Sequence, residues 1–178
     1  ICFEQYIIAN DETGLRFLQL FTRKAQAGIK VQLVLDSIGS HDVEGSAALD
    51  ALRNAGGEVI IFNPKQIFHL LFPATWLPRN HAKTLIVDSS IAYVGSVCLA
   101  SYMRNWHDVH LRLSGPIVKS IVDDFTQLWG QLLNRKAHSR YSWLYPRFSM
   151  TGQAGGLRYM VHKPELRVNA LYLDLLQH

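Results

Sequence analysis

"ICFEQYIIANDETGLRFLQLFTRKAQAGIKVQLVLD", residues 1–36, contains the alternation that decides the fold. Its first nine residues are rich in strand formers and end at "NDETG" (10–14), which carries turn and helix N-cap residues. "LRFLQLFTRKAQAG" (15–28) spaces Leu15, Leu18, Phe21 and Ala25 along one helical face, with Gly28 as the stop. "IKVQLVLD" (29–36) then reads as a buried strand ending at Asp36. Working outward, "SIGSHD" (37–42) is a loop, "VEGSAALDALRNAGG" (43–57) a second helix and "EVIIF" (58–62) a third strand. Strand, helix, strand, helix, strand argues for parallel βαβ units and an α/β domain.

Residues 63–80, "NPKQIFHLLFPATWLPRN", break the rhythm. Three prolines exclude one regular helix, while Phe68, Leu71, Trp76 and their neighbours make the segment greasy. It is either a buried linker or an apolar lip beside the strand that follows. That strand opens "RNHAKTLIVDSSIAYVGS" (79–96). Side chains at i and i+2 of a strand share a face, so His81 and Lys83 are expected to point the same way. Leu85 and Val87 continue that face and Thr84 and Ile86 the other, so both sides read as largely buried. An imidazole beside an ammonium at the end of a buried strand suits an anion.

"NWHDVHLRLSG" (105–115) alternates Asp108, His110 and Arg112 with Val109, Leu111 and Leu113, a strand with one charged and one apolar face. Pro116 begins a helix to about Leu133, with Ile117, Ile121, Phe125, Leu128 and Leu132 on its buried side. Residues 136–156 read as a linker, and 157–178 as a new strand and helix.

The chain has 178 residues, 48% of them hydrophobic, enough for one proper core. No stretch has the apolar length of a membrane span, and no signal peptide opens the chain. It begins at Ile1 and stops within an apparent helix, so it is expected to be a piece of a longer protein. A formal charge of +4 favours anionic partners without choosing between lipid headgroups and nucleic acid. Cys2 and Cys98 have no zinc-ligand spacing and read as buried thiols.

His81-x-Lys83-x4-Asp88-x6-Gly95-Ser96 resembles the HxKx4Dx6G[SG] signature of the phospholipase D superfamily. "EQYIIANDETG", "GIKVQLVLDSIGS", "RNHAKTLIVD" and "WHDVHLRLSGP" are each similar to segments of bacterial cardiolipin synthases, in the same order. The resemblance implies an αβα sandwich with a mixed, largely parallel sheet flanked by helices. It implies a first half at residues 1–135 with one motif, a linker at 136–156, and the start of a truncated second half at 157–178. The active site of such proteins lies between two halves, so the implied partner is a second phospholipase D-like half in cis, or a homodimer mate.

By resemblance, one motif histidine attacks phosphorus to form a phosphohistidine and the other protonates the leaving alcohol. His81 would be one of the pair, read here as the nucleophile, although one half leaves the assignment open. Lys83 would neutralise the non-bridging oxygens. Ser96 matches a position that bonds phosphate or the histidine. Asp88 belongs to the motif, yet its odd offset from His81 and its place in "DSS" favour structural support. Asp108 matches the acid that bonds a catalytic imidazole, and is preferred for tuning histidine. His110 would be a supporting or substrate contact, and Glu4 either faces the cleft or is a solvated strand-end charge.

One position departs from the pattern. Cys98 stands where the family usually has Asn, replacing an amide donor with a poor one. A cysteine nucleophile lacks a base in the local sequence. His69, His107 and His110 lack the i, i+4 pairing of a zinc helix, and the family uses no metal or other cofactor. The resemblance therefore implies a phosphatidyltransferase acting on anionic phospholipid at the membrane surface. Its expected location is the cytoplasmic face, peripheral or anchored by segments outside this chain. The alternatives are a phosphodiesterase or nuclease using water, and a degenerate lipid-binding half. Nucleic acid is disfavoured because residues 64–78 carry Lys65 as their only cation.

Overall fold

The structure, a computed structural model, describes residues 1–64 and 79–134 and the backbone of 151–154 and 157–160. Phe68, Leu71, Trp76, Lys65 and His69 lie outside the described residues, as does the helix expected after residue 160. The described elements are β1 (Cys2–Gln5), α1 (Glu12–Gln26), β2 (Gln32–Asp36), α2 (Ala47–Asn54), β3 (Glu58–Phe62), β4 (Lys83–Val87), β5 (Ile91–Gly95), β6 (His110–Ser114) and α3 (Ile117–Asn134). Beyond them, β7 (Thr151–Ala154) and β8 (Leu157–Met160) form a separate antiparallel pair beside α3.

Six strands make one sheet in the order β3-β2-β1-β4-β5-β6. The βαβ rhythm yields parallel pairing of β1 with β2 and of β2 with β3. The expectation of a largely parallel sheet is corrected on the other side, where β1–β4, β4–β5 and β5–β6 are all antiparallel. For β4–β5 the reason is local: "DSS" turns β4 back into β5 within three residues, too short for a crossover helix.

Period-two alternation divides the core into two layers. Phe3, Leu33, Leu35 and Leu85 face α1 and α2, meeting Leu18, Phe21, Leu49 and Leu52. Val34, Phe62, Ile86 and Ala92 face α3, meeting Ile117, Ile121, Phe125 and Trp129. Helices on both faces of a mixed sheet make the αβα sandwich. Asp11 caps α1 by accepting from Thr13 N and Gly14 N at 3.0 and 3.1 Å, satisfying two N–H groups that the first turn leaves open. α2 starts four residues later than its apolar pattern suggests, with Ser46 as its cap.

Two further differences bear on function. β4 starts at Lys83, so His81 lies in the loop before the strand rather than on it. β6 does not bury its apolar face among the described residues: Val109 is 69% and Leu111 57% exposed, and only Leu113 joins the α3-side core.

Candidate active site

Strand order reverses at β1, which has β2 on one side and β4 on the other. Such a switch opens a crevice beyond the carboxyl ends of the parallel strands. Gln5 and Asp36 end β1 and β2 there, and Lys83 begins the antiparallel β4 opposite Gln5. The site is assembled around this seam.

His81 is exposed, and its imidazole lies against Tyr6 with ring centroids 4.3 Å apart and planes at 49°. Lys83 is only 6% exposed. Its Nζ donates to the His81 carbonyl at 2.9 Å, approaches His81 Nδ1 at 3.3 Å, and lies 5.3 Å from the Tyr6 ring centroid. The ammonium has three N–H donors and no acceptor, so toward Nδ1 it can only donate, which favours the neutral tautomer with its proton on Nε2. Burial first, then the Lys83 charge, holds the His81 pKa below its ordinary value, against an upward pull from Asp36. A neutral imidazole beside a cation is the state that a nucleophile toward an anion requires. Burial also lowers the Lys83 pKa, while Cys98 and Asp108 act to raise it.

The glycine and serine that close the motif act on β6. A Cβ on Gly95 would lie 2.2 Å from Val109 O and 2.6 Å from His110 Cα, so only glycine lets that segment pass. Ser96 Oγ accepts from Val109 N at 3.0 Å and donates to Val109 O at 3.2 Å. Ser96 thus holds the 108–110 backbone, both of these bonds going to Val109 rather than to His81. The charge of Asp108 reaches Lys83, Cys98 and His110, which places these groups in one field. His110 itself has its pKa lowered, by burial first.

Glu4 is neither open to a cleft nor solvated, correcting both expectations. It is 6% exposed and accepts a 2.7 Å bond from Asn80 Nδ2. Its position on the α3-facing side of the central strand removes water, and burial pushes its pKa up to about 7; Asn80 opposes the rise and Asp124 adds to it. Asp88 sits at the opposite end of β4, exposed, in a left-handed turn with φ of 53°. Five strand residues put it roughly 16 Å from the Lys83 end. Burial raises the Cys98 thiol, with Lys83 pulling the other way, so it remains a poor nucleophile near neutrality. Among the described residues, no three His, Cys, Asp or Glu side chains form a metal-binding group.

Sequence reasoning missed Tyr6, Asp36, Arg79 and Asn80. Asp36 Oδ2 accepts from Asn80 N at 2.9 Å, and its Oδ1 lies 3.4 Å from Arg79 Nη1. The legible signal was weak: an acid ending a strand, and an "RN" pair before the histidine.

The architecture is similar to two solved structures. One is Nuc from Salmonella typhimurium, described as a phospholipase D family member (TM-score 0.50, 18% identity, 72% of this chain and 76% of that one). The other is NucT from Helicobacter pylori (TM-score 0.53, 16% identity, 75% and 77%). The fold is therefore phospholipase D-like. Residues 2–129 match the family model described as "Cardiolipin synthase, PLD-like domain", and the chain belongs to that family. It is 28% identical over 174 residues to a cardiolipin synthase of Alkalihalophilus pseudofirmus, covering 94% of this chain and 34% of the relative. It is 32% identical over 136 residues to one of Clostridium perfringens, covering 72% and 28%. The chain thus spans about a third of the length of the curated relatives it matches.

Proposed function

We propose that this chain is the first catalytic half of a phosphatidyltransferase of the cardiolipin synthase type. The observation that carries the reading is the His81–Lys83 pair at the seam of the sheet, with Nζ 3.3 Å from Nδ1. In the first step the imidazole attacks phosphorus of an anionic phospholipid, forming an N–P bond as the P–O bond to the leaving alcohol breaks. A histidine from a second half protonates that alcohol. In the second step the same histidine takes a proton from the acceptor lipid's hydroxyl, whose oxygen attacks phosphorus and releases His81. Lys83 balances the charge that builds on the non-bridging oxygens in both five-coordinate states.

The second half, in cis or from a homodimer mate, covers the exposed β6 edge. Tyr102, Trp106, Val109 and Leu111 are all more than half exposed beside Asp108 and His110, a large apolar area for one side of a domain. Among the described residues no helix is long and apolar enough to cross a membrane. We infer binding at the cytoplasmic membrane surface, through the apolar residues Phe68, Leu71 and Trp76 or through segments outside this chain. Water in place of the acceptor alcohol turns the same site into a phosphodiesterase.

The test uses the whole protein, phospholipid vesicles with a phosphorus-labelled donor, and an alkaline quench that preserves phosphohistidine. His81→Asn abolishes both the trapped label and transfer while circular dichroism stays native. Lys83→Ala lowers the rate by about 100-fold or more. Product analysis then separates a new phosphatidyl ester from hydrolysis. Undiminished turnover in His81→Asn overturns the assignment.

A further inference from the structure

We propose that Asp36 and Asn80 are positioning residues that hold the His81 imidazole in its attacking pose, Asp36 by anchoring both the backbone that carries the ring and the Tyr6 support it leans on. The proposal rests on the reading of His81 as the group that attacks phosphorus.

Asn80 bonds through its backbone N–H and both ends of its side-chain amide. Its backbone N–H donates to Asp36 Oδ2 at 2.9 Å and its Nδ2 donates to Glu4 Oε1 at 2.7 Å. Its Oδ1 accepts from Ala82 N at 3.2 Å. These bonds fall on the residues either side of His81, which has no strand ladder of its own because β4 begins at Lys83. Two carboxylates from β1 and β2 therefore do for this loop what sheet pairing does for its neighbours.

Asp36 also builds the other support. Its Oδ1 accepts from Ile38 N at 2.9 Å and Gly39 N at 3.1 Å, folding the chain after β2 into a tight turn. In that turn Ser40 Oγ donates to Tyr6 O at 2.8 Å and accepts from Ile8 N at 3.0 Å. Gly39 meets the same tyrosine so closely that a Cβ would stand 2.2 Å from Tyr6 O. Tyr6 is fixed by this turn, and its ring is the one against His81. Arg79 Nη1 closes the arrangement on Ser37 Oγ at 3.1 Å. Asp36 is fully buried, and its two oxygens receive three N–H groups and a guanidinium. A buried carboxylate so fully bonded is stiff, and losing one partner costs more than the bond itself.

In-line attack tolerates little misalignment, and a displacement near 1 Å lowers a rate by on the order of 100-fold. In the whole protein Asn80→Ala is therefore expected to lower kcat by about that factor and leave KM within about threefold, with a cooperative melt. The second readout is the pH profile of His81 modification by diethyl pyrocarbonate, followed peptide by peptide. Asn80→Ala shifts its midpoint and raises its rate. Should that variant fail to fold, Asn80→Asp assayed at pH 8, where Glu4 is ionised, decides: it sets acceptor against acceptor at Glu4, and adding Glu4→Gln supplies an amide that donates back and restores at least about tenfold in kcat. Unchanged kcat with unchanged His81 modification overturns the proposal, as does a double variant no better than Asn80→Asp. The modification profile does not depend on turnover. An unaltered profile in Asn80→Ala rejects the positioning role even where transfer through His81 stands. Turnover retained by His81→Asn rejects the attacking role and leaves the profile to judge the clamp.

Discussion

The two sides of the sheet are built on different principles. In β2 all five residues are buried, with Leu33 and Leu35 under α1 and α2 and Val34 under α3. In β6 four of five are exposed. The parallel side is a scaffold enclosed by helices on both faces, whereas the antiparallel side ends in an open apolar strand. The proposed reacting groups lie between them, where β1 meets β4. In the proposed reading one flank orients His81 and the other is completed by the second half.

Substitution can break that contrast. Leu33→Ala, from a fully buried position, should destabilise the chain by about 3–5 kcal/mol through lost burial and the cavity left behind. Leu111→Ala should shift it by less than about 0.5 kcal/mol. Urea midpoints of the two variants measure both. Similar losses would mean that β6 is as enclosed as β2, and the edge would no longer be available to a partner.

The scaffold was legible because its cause is local. The apolar spacing of Leu18, Phe21 and Ala25 and of Ile117, Ile121 and Phe125 corresponds to buried helix faces. His81 and Lys83 were legible from the motif, and their side chains do meet. The supports were not legible, because Asn80 is 44 residues from Asp36 and 76 from Glu4. No periodicity links positions that only the strand order brings together. The exposed side of β6 misled for the opposite reason: alternation of Val109, Leu111 and Leu113 signals an apolar face, but cannot say whether this chain or another covers it.

Glu4 offers a sharper probe of the seam. Its folded pKa of about 7 stands above the model-peptide value of 4.5. Below pH 4.5 both folded and unfolded states hold the proton and burial carries no charge penalty. As pH rises from 4.5 through 7 the unfolded state ionises first, so stability falls, by up to about 3 kcal/mol above pH 7. Glu4→Gln keeps an acceptor for Asn80 and removes the charge. The variant should match the parent at pH 4.5 and melt higher at pH 8, the gap opening between those values. A constant gap across this range would show that Glu4 does not titrate in the buried seam.

A small effect is also expected at Asp88, which the motif joins to His81 and the fold sets apart. Its φ of 53° is left-handed, a conformation that costs most residues roughly 1–2 kcal/mol and that Asn and Asp tolerate best. Ser89 has the same φ, so the β4–β5 turn takes two such residues in succession. A role in chemistry would need the carboxylate near the phosphate, but the full length of β4 intervenes. Asp88→Asn preserves the turn preference and removes the charge, so stability should move by less than about 1 kcal/mol and turnover by less than threefold. Asp88→Gly removes the steric cost of the left-handed backbone, and should likewise keep its activity. A large loss of turnover in Asp88→Asn with an unchanged melt would show that its charge acts on the reaction, and the far end of β4 would then belong to the site.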